Sequence, residues 1–270
     1  MFDRGIEIKT PAQIESMRQA GLIVGTTLET LRHTVRAGMT TAELDVIAHD
    51  HIRSQGGTSN FLGYHGFPGV ICTSVNDEIV HGIPGTSTLV DGDIISIDCG
   101  AIVDGWHGDA AITVAVGEVA ADVRELMRVT EEALWQGIAA ARLKGHVSDI
   151  SHAVEASIDA AGDYGIVEGY TGHGIGSAMH QPPNVPNVGR AGRGPKLVTG
   201  LVLAVEPMVS LGSPENHTLD DGWTAVTTDG SWAAHYEHTF TLTDRGAWVL
   251  TALDGGRERL AALGVPYGGP

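Results

Sequence analysis

The sequence predicts a mixed α/β fold of the α+β kind, in which two similar halves pack on one sheet. Three observations lead there. The order helix, helix, strands occurs twice, with the change near residue 118. The strand segments are short β-rich runs, such as VICTSV, IISIDCGAIV and AAITVAV, separated by Gly, Pro, Asn and Asp. The 37 glycines show no collagen period and mark many tight turns. No residue-level repeat accompanies the repeated order.

The elements follow from local signals. Thr10, with Pro11 at the first helical position, opens a helix over about 11–34, with Ile14, Met17, Ile23, Val24, Leu28 and Leu31 at helical spacing. Thr40 and Glu43 form a capping box before a second helix carrying Leu44, Ile47, Ala48 and Ile52. From Gly66 the texture turns to strands, and Asp104-Gly105 predicts a two-residue hairpin turn. Helical spacing returns over about 120–143 and 148–161. Strands resume with IVEGYT, LVLAVEPMVS, TAVTT and HTFTLT, and Gly264 to Pro270 reads as a loose tail.

Composition narrows the function. With 16 basic and 33 acidic residues the net charge is −17, which opposes nucleic-acid or anionic-membrane binding through the overall field. Hydrophobic residues at 42% and charged residues at 18% can bury a core. Two cysteines and no apolar leader point to a reducing cytoplasm. The longest apolar stretch, Leu201 to Leu211, carries Glu206 and Pro207 and is short for a membrane span.

The chemistry concentrates on β-rich segments. If Asp104-Gly105 turns the hairpin, Asp98 lies opposite Ala111, with Asp109 its diagonal neighbour on the same face, a separation that suits a pair of metal ions. Ordinary turn carboxylates would look the same, but Asp98 follows Ile94, Ile95 and Ile97, where an unpaired charge is costly. His173 and His180 lie seven apart in a Gly-rich run, so both reach one site only if the backbone bends; as readily, either is a hydrogen-bonded turn residue. Glu206 is expected on a strand face with Val202, Ala204 and Met208, and needs a partner there. Glu237, between His235 and Thr239, has the pattern of a solvated edge strand. Four carboxylates and one or two imidazoles suit Mn, Fe(II) or Co better than a thiolate-rich zinc site. Two divalent ions would balance the four charges and activate water.

The runs IEIKTPAQIESMRQAG, LGYHGFPGVICTSVNDEIVHGIP, DGDIISIDCGAIVDGWHGDAAIT, GHGIGSAMHQPPNV, LVLAVEPMV, DGWTAVTTDGS and YEHTFTLT, in that order, resemble the type I methionine aminopeptidases, from about Ile6 to Thr251. The resemblance implies the pita-bread fold and a single catalytic domain over 1–270, with halves at about 10–118 and 119–251 and a tail at 252–270. It implies five ligands for two divalent ions (Co, Mn, Fe or Zn): Asp109 and Glu237 bridging, His173 and Glu206 on one ion, Asp98 on the other. It implies that His81 and His180 contact substrate, that Glu206 shuttles a proton, and that Phe61, Tyr64, His65, Phe67, Cys72, Met179 and Trp223 form the methionine slot. The implied activity is removal of initiator methionine before a small second residue. A monomer is implied, acting on nascent N-termini with at most a transient ribosome contact and no direct nucleic-acid binding. An X-Pro aminopeptidase on the same fold is the alternative. Three positions depart from the family pattern. Gln181 stands where Glu is usual, Met179 where an aromatic residue is common, and His235 where Gln is usual, so Met179 is expected to shape the slot and His235 the surroundings of Glu237.

Overall fold

The computed structural model describes residues 5–270. Helices α1 (Pro11–Thr34) and α2 (Thr41–Ser54) precede strands β1 (Thr58–Ser59), β2 (Ile71–Val75), β3 (Glu78–Val80), β4 (Ile94–Val103) and β5 (Trp106–Ala115). Helices α3 (Ala121–Ala140) and α4 (Val147–Ala161) precede β6 (Gly165–Ile166), β7 (Gly172–Gly174), β8 (Gln181–Val185), β9 (Val202–Val205) and β10 (Met208–Ser210). Then come β11 (Asn216–Thr218), β12 (Ala225–Thr227), β13 (Ala233–His235), β14 (His238–Thr243), β15 (Gly246–Val249) and α5 (Arg257–Ala262).

The helix starts obey their caps. The Thr10 hydroxyl accepts from Gln13 N at 3.4 Å and Thr10 N donates to Gln13 Oε1 at 2.8 Å; Thr40 and Glu43 repeat the exchange on α2. Asp104 (φ 50) and Gly105 (φ 79) take the two left-handed positions of a tight hairpin turn, so Asp98 pairs with Ala111 and Gly100 with Asp109, as the spacing predicts.

All pairings within the sheets are antiparallel. One sheet runs β1-β4-β2, with β1 and β2 sharing one edge of β4 and β5 paired along the whole of the other, a second β13-β10-β6, a third β11-β12-β3, and a fourth β15-β14-β9-β7-β8. The first and last meet through Glu237, whose N–H donates to Ala111 O at 2.9 Å while Ala111 N donates to Glu237 O at 3.3 Å. The helices cover this β framework, α1 on β4 and β5 and α3 on α4, β9, β10 and β13.

Four local expectations are corrected. The apolar run from Leu201 to Ser210 is not one strand: it breaks at Glu206-Pro207 into β9 and β10, which belong to different sheets, because Pro207 has no N–H for a ladder. Glu206 therefore shares no strand face with Val202 and Met208. Tyr236-Glu237 likewise separates β13 from β14, and Glu237 is buried rather than on a solvated edge. IVEGYT contributes only the two-residue β6. Gly264 to Pro270 is no loose tail: Gly268 N donates to Ala247 O at 2.7 Å, Tyr267 bridges Ala247, and the Arg257 guanidinium lies 4.5 Å from the Tyr267 ring centre.

Helix α1 approaches its neighbours backbone to backbone. A Cβ on Gly21 would collide with the Leu250 carbonyl, and one on Gly108 would lie 2.8 Å from Gly21 N. Helix propensity alone would make Gly21→Ala stabilising by about 1 kcal/mol. The collision is with backbone, which cannot step aside, so we predict net destabilisation of about 1–3 kcal/mol. Urea unfolding decides between the two signs.

Candidate metal centre and its apolar slot

The hairpin β4–β5 projects Asp98 and Asp109 from one face. Both are buried, Asp98 behind the apolar run that begins β4. The Thr239 hydroxyl donates to Asp109 O at 2.8 Å and accepts from Asp109 N at 3.2 Å, which locks β5 to β14 beside the site. His173 comes from the middle of β7, Glu206 from the break after β9, and Glu237 from the break before β14. The two strand breaks thus aim carboxylates where a continuous ladder would have kept backbone.

These five side chains form one cluster. Ligand-type atoms of Asp98, Asp109 and Glu237 lie within 4.8 Å of one another, as do those of His173, Glu206 and Glu237, so Glu237 belongs to both groups. Asp109, His173 and His180 satisfy the same limit. His173 Nε2 is 3.4 Å from Glu206 Oε1, while its Nδ1 is 3.0 Å from Gly174 O. A proton on Nδ1 donated to that carbonyl leaves the Nε2 lone pair facing the cluster.

The electrostatics require positive charge. Burial raises the Asp98 carboxyl to about 7. Burial pushes Asp109 well above the usual carboxylate range, and the charges of Glu237 and Asp98 push it further. Glu206 and Glu237 rise well above it too, through burial and then through their carboxylate neighbours. Burial also depresses His173 to about 3 and His81 to about 4, with the His180 ring adding to both, so neither imidazole supplies a cation at neutral pH. Among the described residues no Lys or Arg lines the cavity. Asp98 Oδ1, Asp109 Oδ1 and Glu237 Oε1 are buried without a hydrogen-bond partner among the described residues. Orphaned, oxygen-rich and crowded, this donor set fits divalent cations.

The same cavity, of about 150 Å³, has a second, apolar wall. Phe61, Phe67, Cys72 and Met179 form one buried cluster, with Tyr64 and Trp223 packed on it. Phe67 meets Phe61 and Trp223 edge to face at 6.5 and 5.1 Å. Register explains the join between the walls: Cys72 on β2 pairs directly with Asp98 on β4, so sulfur and carboxylate share a sheet face. His81 and His180 also line the cavity. The His180 ring stands 4.4 Å from that of His173, and its Nδ1 is 2.8 Å from the Tyr64 hydroxyl. His81, at φ 63, packs against Tyr170 and Trp223.

Of the residues expected in the slot, His65 alone is not on the cavity wall. It meets Tyr64 edge to face, with ring centres 4.4 Å apart. Val80 lines the cavity and was not anticipated, since β3 carries no chemical signal of its own. His235 faces Glu206, at 3.8 Å between Nε2 and Oε2. Gln181 belongs to a clamp that sequence reasoning missed. Buried Lys9 donates to Gln181 Oε1 at 3.3 Å, Gln181 Nε2 donates to Ser177 Oγ at 3.1 Å, and Ser177 donates through Oγ and N to Glu7 at 2.8 and 3.0 Å. It ties residues 7–9 to the loop that presents Met179 and His180.

Comparison with known proteins agrees with this chemistry. The profile of metallopeptidase family M24 matches residues 15–244. A methionine aminopeptidase of Clostridium acetobutylicum is 49% identical over 247 residues, covering 91% of this chain and 98% of that one. The crystal structure of a methionine aminopeptidase from Thermotoga maritima superimposes with a TM-score of 0.90 at 40% identity, over 92% of this chain and 99% of its own. An Xaa-Pro dipeptidase from Bacillus anthracis shares the fold alone, at 22% identity and a TM-score of 0.72 over 90% of this chain and 61% of that one. No helix among the described residues is long and apolar enough to cross a membrane. The chain therefore belongs to metallopeptidase family M24, within its methionine aminopeptidases, and is a divalent-metal aminopeptidase of the pita-bread fold.

Proposed function

We propose that this chain removes the N-terminal methionine of nascent proteins and peptides whose second residue is small, acting as a monomer in the cytoplasm. One observation carries the reading: the carboxylate–imidazole cluster and the aromatic, sulfur-lined slot are two walls of one cavity. A thioether side chain suits the Cys72, Met179, Phe61, Phe67, Tyr64 and Trp223 wall, since soft sulfur and ring edges attract. The substrate's free amine then meets the acidic wall, which restricts cleavage to the first residue of a chain. The half spanning 10–118 contributes Asp98 and Asp109, and the half spanning 119–251 contributes His173, Glu206 and Glu237. We read the site as seated between them.

Two divalent ions, of Mn, Fe, Co or Zn, would be held by Asp98 on one side, by His173 and Glu206 on the other, and by Asp109 and Glu237 in common. When bound, such a pair supplies a water acidic enough to attack near neutral pH, and positive charge at the scissile carbonyl. Tyr64 keeps its phenolic proton, its pKa raised by burial and by Asp109, and donates it to His180 Nδ1. The proton of neutral His180 then sits on Nε2, where it donates to the carbonyl oxygen as negative charge develops there. Neutral His81 hydrogen-bonds the backbone nitrogen of the second residue. Glu206 accepts the proton of the attacking water and delivers it to the leaving amine. The likeness to X-Pro enzymes is one of fold, and nothing in the cavity favours that reading.

Hydrolysis of Met-Ala-Ser by Mn-loaded protein should exceed that of Ala-Pro-Ala and stop with EDTA; preference for the proline peptide would overturn the proposal. Asp109→Ala and Glu237→Ala should each lower turnover at least about 100-fold, beyond the effect expected of a residue that merely supports a ligand. Circular dichroism checks that both remain folded.

Metal-free protein provides a separate test. The four carboxylates have folded-state pKa values raised above the unfolded ~4, Asp98 to about 7. Their contribution to stability is full below the unfolded value and is lost as pH rises through the folded values. Thermal unfolding without metal should therefore show Tm falling between pH 5 and 8, and Mn should raise Tm more at pH 8 than at pH 6. A metal effect independent of pH would contradict the carboxylate assignment.

A further inference from the structure

Several sheet edges in this molecule are covered. The C-terminal segment takes the edge of β15, Ala233 N on β13 donates to Asn76 O at 2.9 Å, and Thr73 N on β2 donates to Gly82 O at 2.8 Å. Edge strand β8 carries Pro182 and Pro183, which blunt further pairing. Strand β11 has no such cover. It is the outer strand of β11-β12-β3 and pairs with β12. Leu219 N donates to Thr224 O at 2.8 Å and Thr228 N to Glu215 O at 3.0 Å, so residues 215, 217 and 219 turn their backbone groups toward β12. Those of Asn216 and Thr218 therefore point outward. The opposite strand has the matching phase, since Thr227, the partner of Asn216, donates its N–H away from β11 to Asp77 O at 3.0 Å. Among the described residues nothing bonds the backbone N–H or C=O of Asn216 or Thr218 on that side. His217 and Thr218 are exposed, and the strand presents two donors and two acceptors along one open edge.

That edge is continuous with the cavity. Val80 at the end of β3, His81 after it, and Trp223 in the turn that joins β11 to β12 all line the cavity. Half-buried Tyr170 spans the way between them: its ring is 5.7 Å from that of His81, and its phenol meets the Thr218 side chain. Asn216 Nδ2 donates to Glu168 O at 2.8 Å. Both contacts are made by side chains, which stand off the face of a strand, so segment 168–170 leaves the backbone edge open. Two strand spacings of about 4.8 Å separate β3 from β11, a distance that extended chain covers in about three residues. A peptide whose second residue lies at His81 brings its fifth to Thr218 and its seventh to Asn216.

We propose that the open edge of β11 binds the fifth to seventh residues of the substrate as an added antiparallel strand, through the backbone groups of Thr218 and Asn216. The inference rests on the proposed function, which supplies a peptide that leaves the cavity past His81. Its direction follows from the site, since the chain reaches Thr218 first and runs on to Asn216, opposite to β11. Main-chain pairing is indifferent to side chains. It therefore suits an enzyme whose substrates have in common only a methionine and a small second residue.

The test compares Met-Ala-Ser-Gly with Met-Ala-Ser-Gly-Thr-Val-Thr on Mn-loaded protein. The longer peptide should show kcat/KM at least about 10-fold higher, as several net hydrogen bonds would give. The gain should lie in KM with kcat unchanged, because the added contacts are far from the bond that breaks. N-methylation of the longer peptide at its fifth or seventh residue should erase the gain, and at its sixth, whose N–H faces away, should leave it. Thr218→Pro removes an outward N–H and no ladder bond, so it should bring the ratio between long and short peptides toward 1, while His217→Ala should keep the wild-type ratio. No length gain, or equal losses from all three methylations, overturns the inference whether or not Thr218→Pro folds. Hydrogen exchange supplies a reading apart from turnover: an uncleavable seven-residue analogue with a reduced first peptide bond should protect the Asn216 and Thr218 amides. Protection in a protein that cleaves neither methionine peptide would sink the proposed function and leave the edge pairing standing. Cleavage of Met-Ala-Ser-Gly with neither protection nor length gain would do the reverse.

Discussion

Four carboxylates buried together in one cavity are the constraint around which this molecule is arranged. Asp98, Asp109, Glu206 and Glu237 are each buried, and among the described residues no lysine or arginine lines the cavity they share. Like charges this close cannot all ionise without a counter-charge, because low-dielectric surroundings strengthen their repulsion and withhold the solvation that would offset it. Protons or divalent cations must balance them. The neighbouring histidines cannot do so, since burial keeps them neutral, and that neutrality leaves them free to ligate or to donate a single hydrogen bond. Metal use, water activation and recognition of a free amine are thus consequences of one burial decision.

The apolar slot is coupled to that centre through strand register. Cys72 faces Asp98 across a single ladder, Ala111 pairs with Asp98 on one side and with Glu237 on the other, and Tyr64 reaches His180 by its hydroxyl. Side chains that would hold a substrate and side chains that would hold metal are therefore fixed on one hydrogen-bonded framework. The loop with Met179 and His180 has no long strand of its own to stiffen it. The Lys9–Gln181–Ser177–Glu7 clamp takes that part, and glutamine rather than glutamate at 181 keeps the clamp to one carboxylate facing one ammonium. His235 lies against Glu206 with neither ring nitrogen hydrogen-bonded among the described residues, so the departure from glutamine there acts on the proposed proton shuttle.

Much of this was legible from residues alone wherever the determining interaction is local. Thr10 and Thr40 begin helices because their hydroxyls cap N–H groups three residues on, and Asp104-Gly105 makes a hairpin because both positions tolerate positive φ. The turn then dictates that Asp98 faces Ala111. The ligand set as a whole was read from family resemblance, since spacing by itself left ordinary turn carboxylates the default reading of an Asp pair.

The sequence by itself determined the caps, the hairpin register, the apolar periodicities and the chemical types of the donors, all of which depend on neighbours within a few residues. Only the tertiary structure decided that Glu206 and Glu237 leave their ladders to enter the cavity, that His235 faces Glu206, and that the last residues are pinned by Ala247. The physical reason is that strand pairing and charge proximity join residues far apart in the chain, and which partner each finds is settled only when the sheets close on one another.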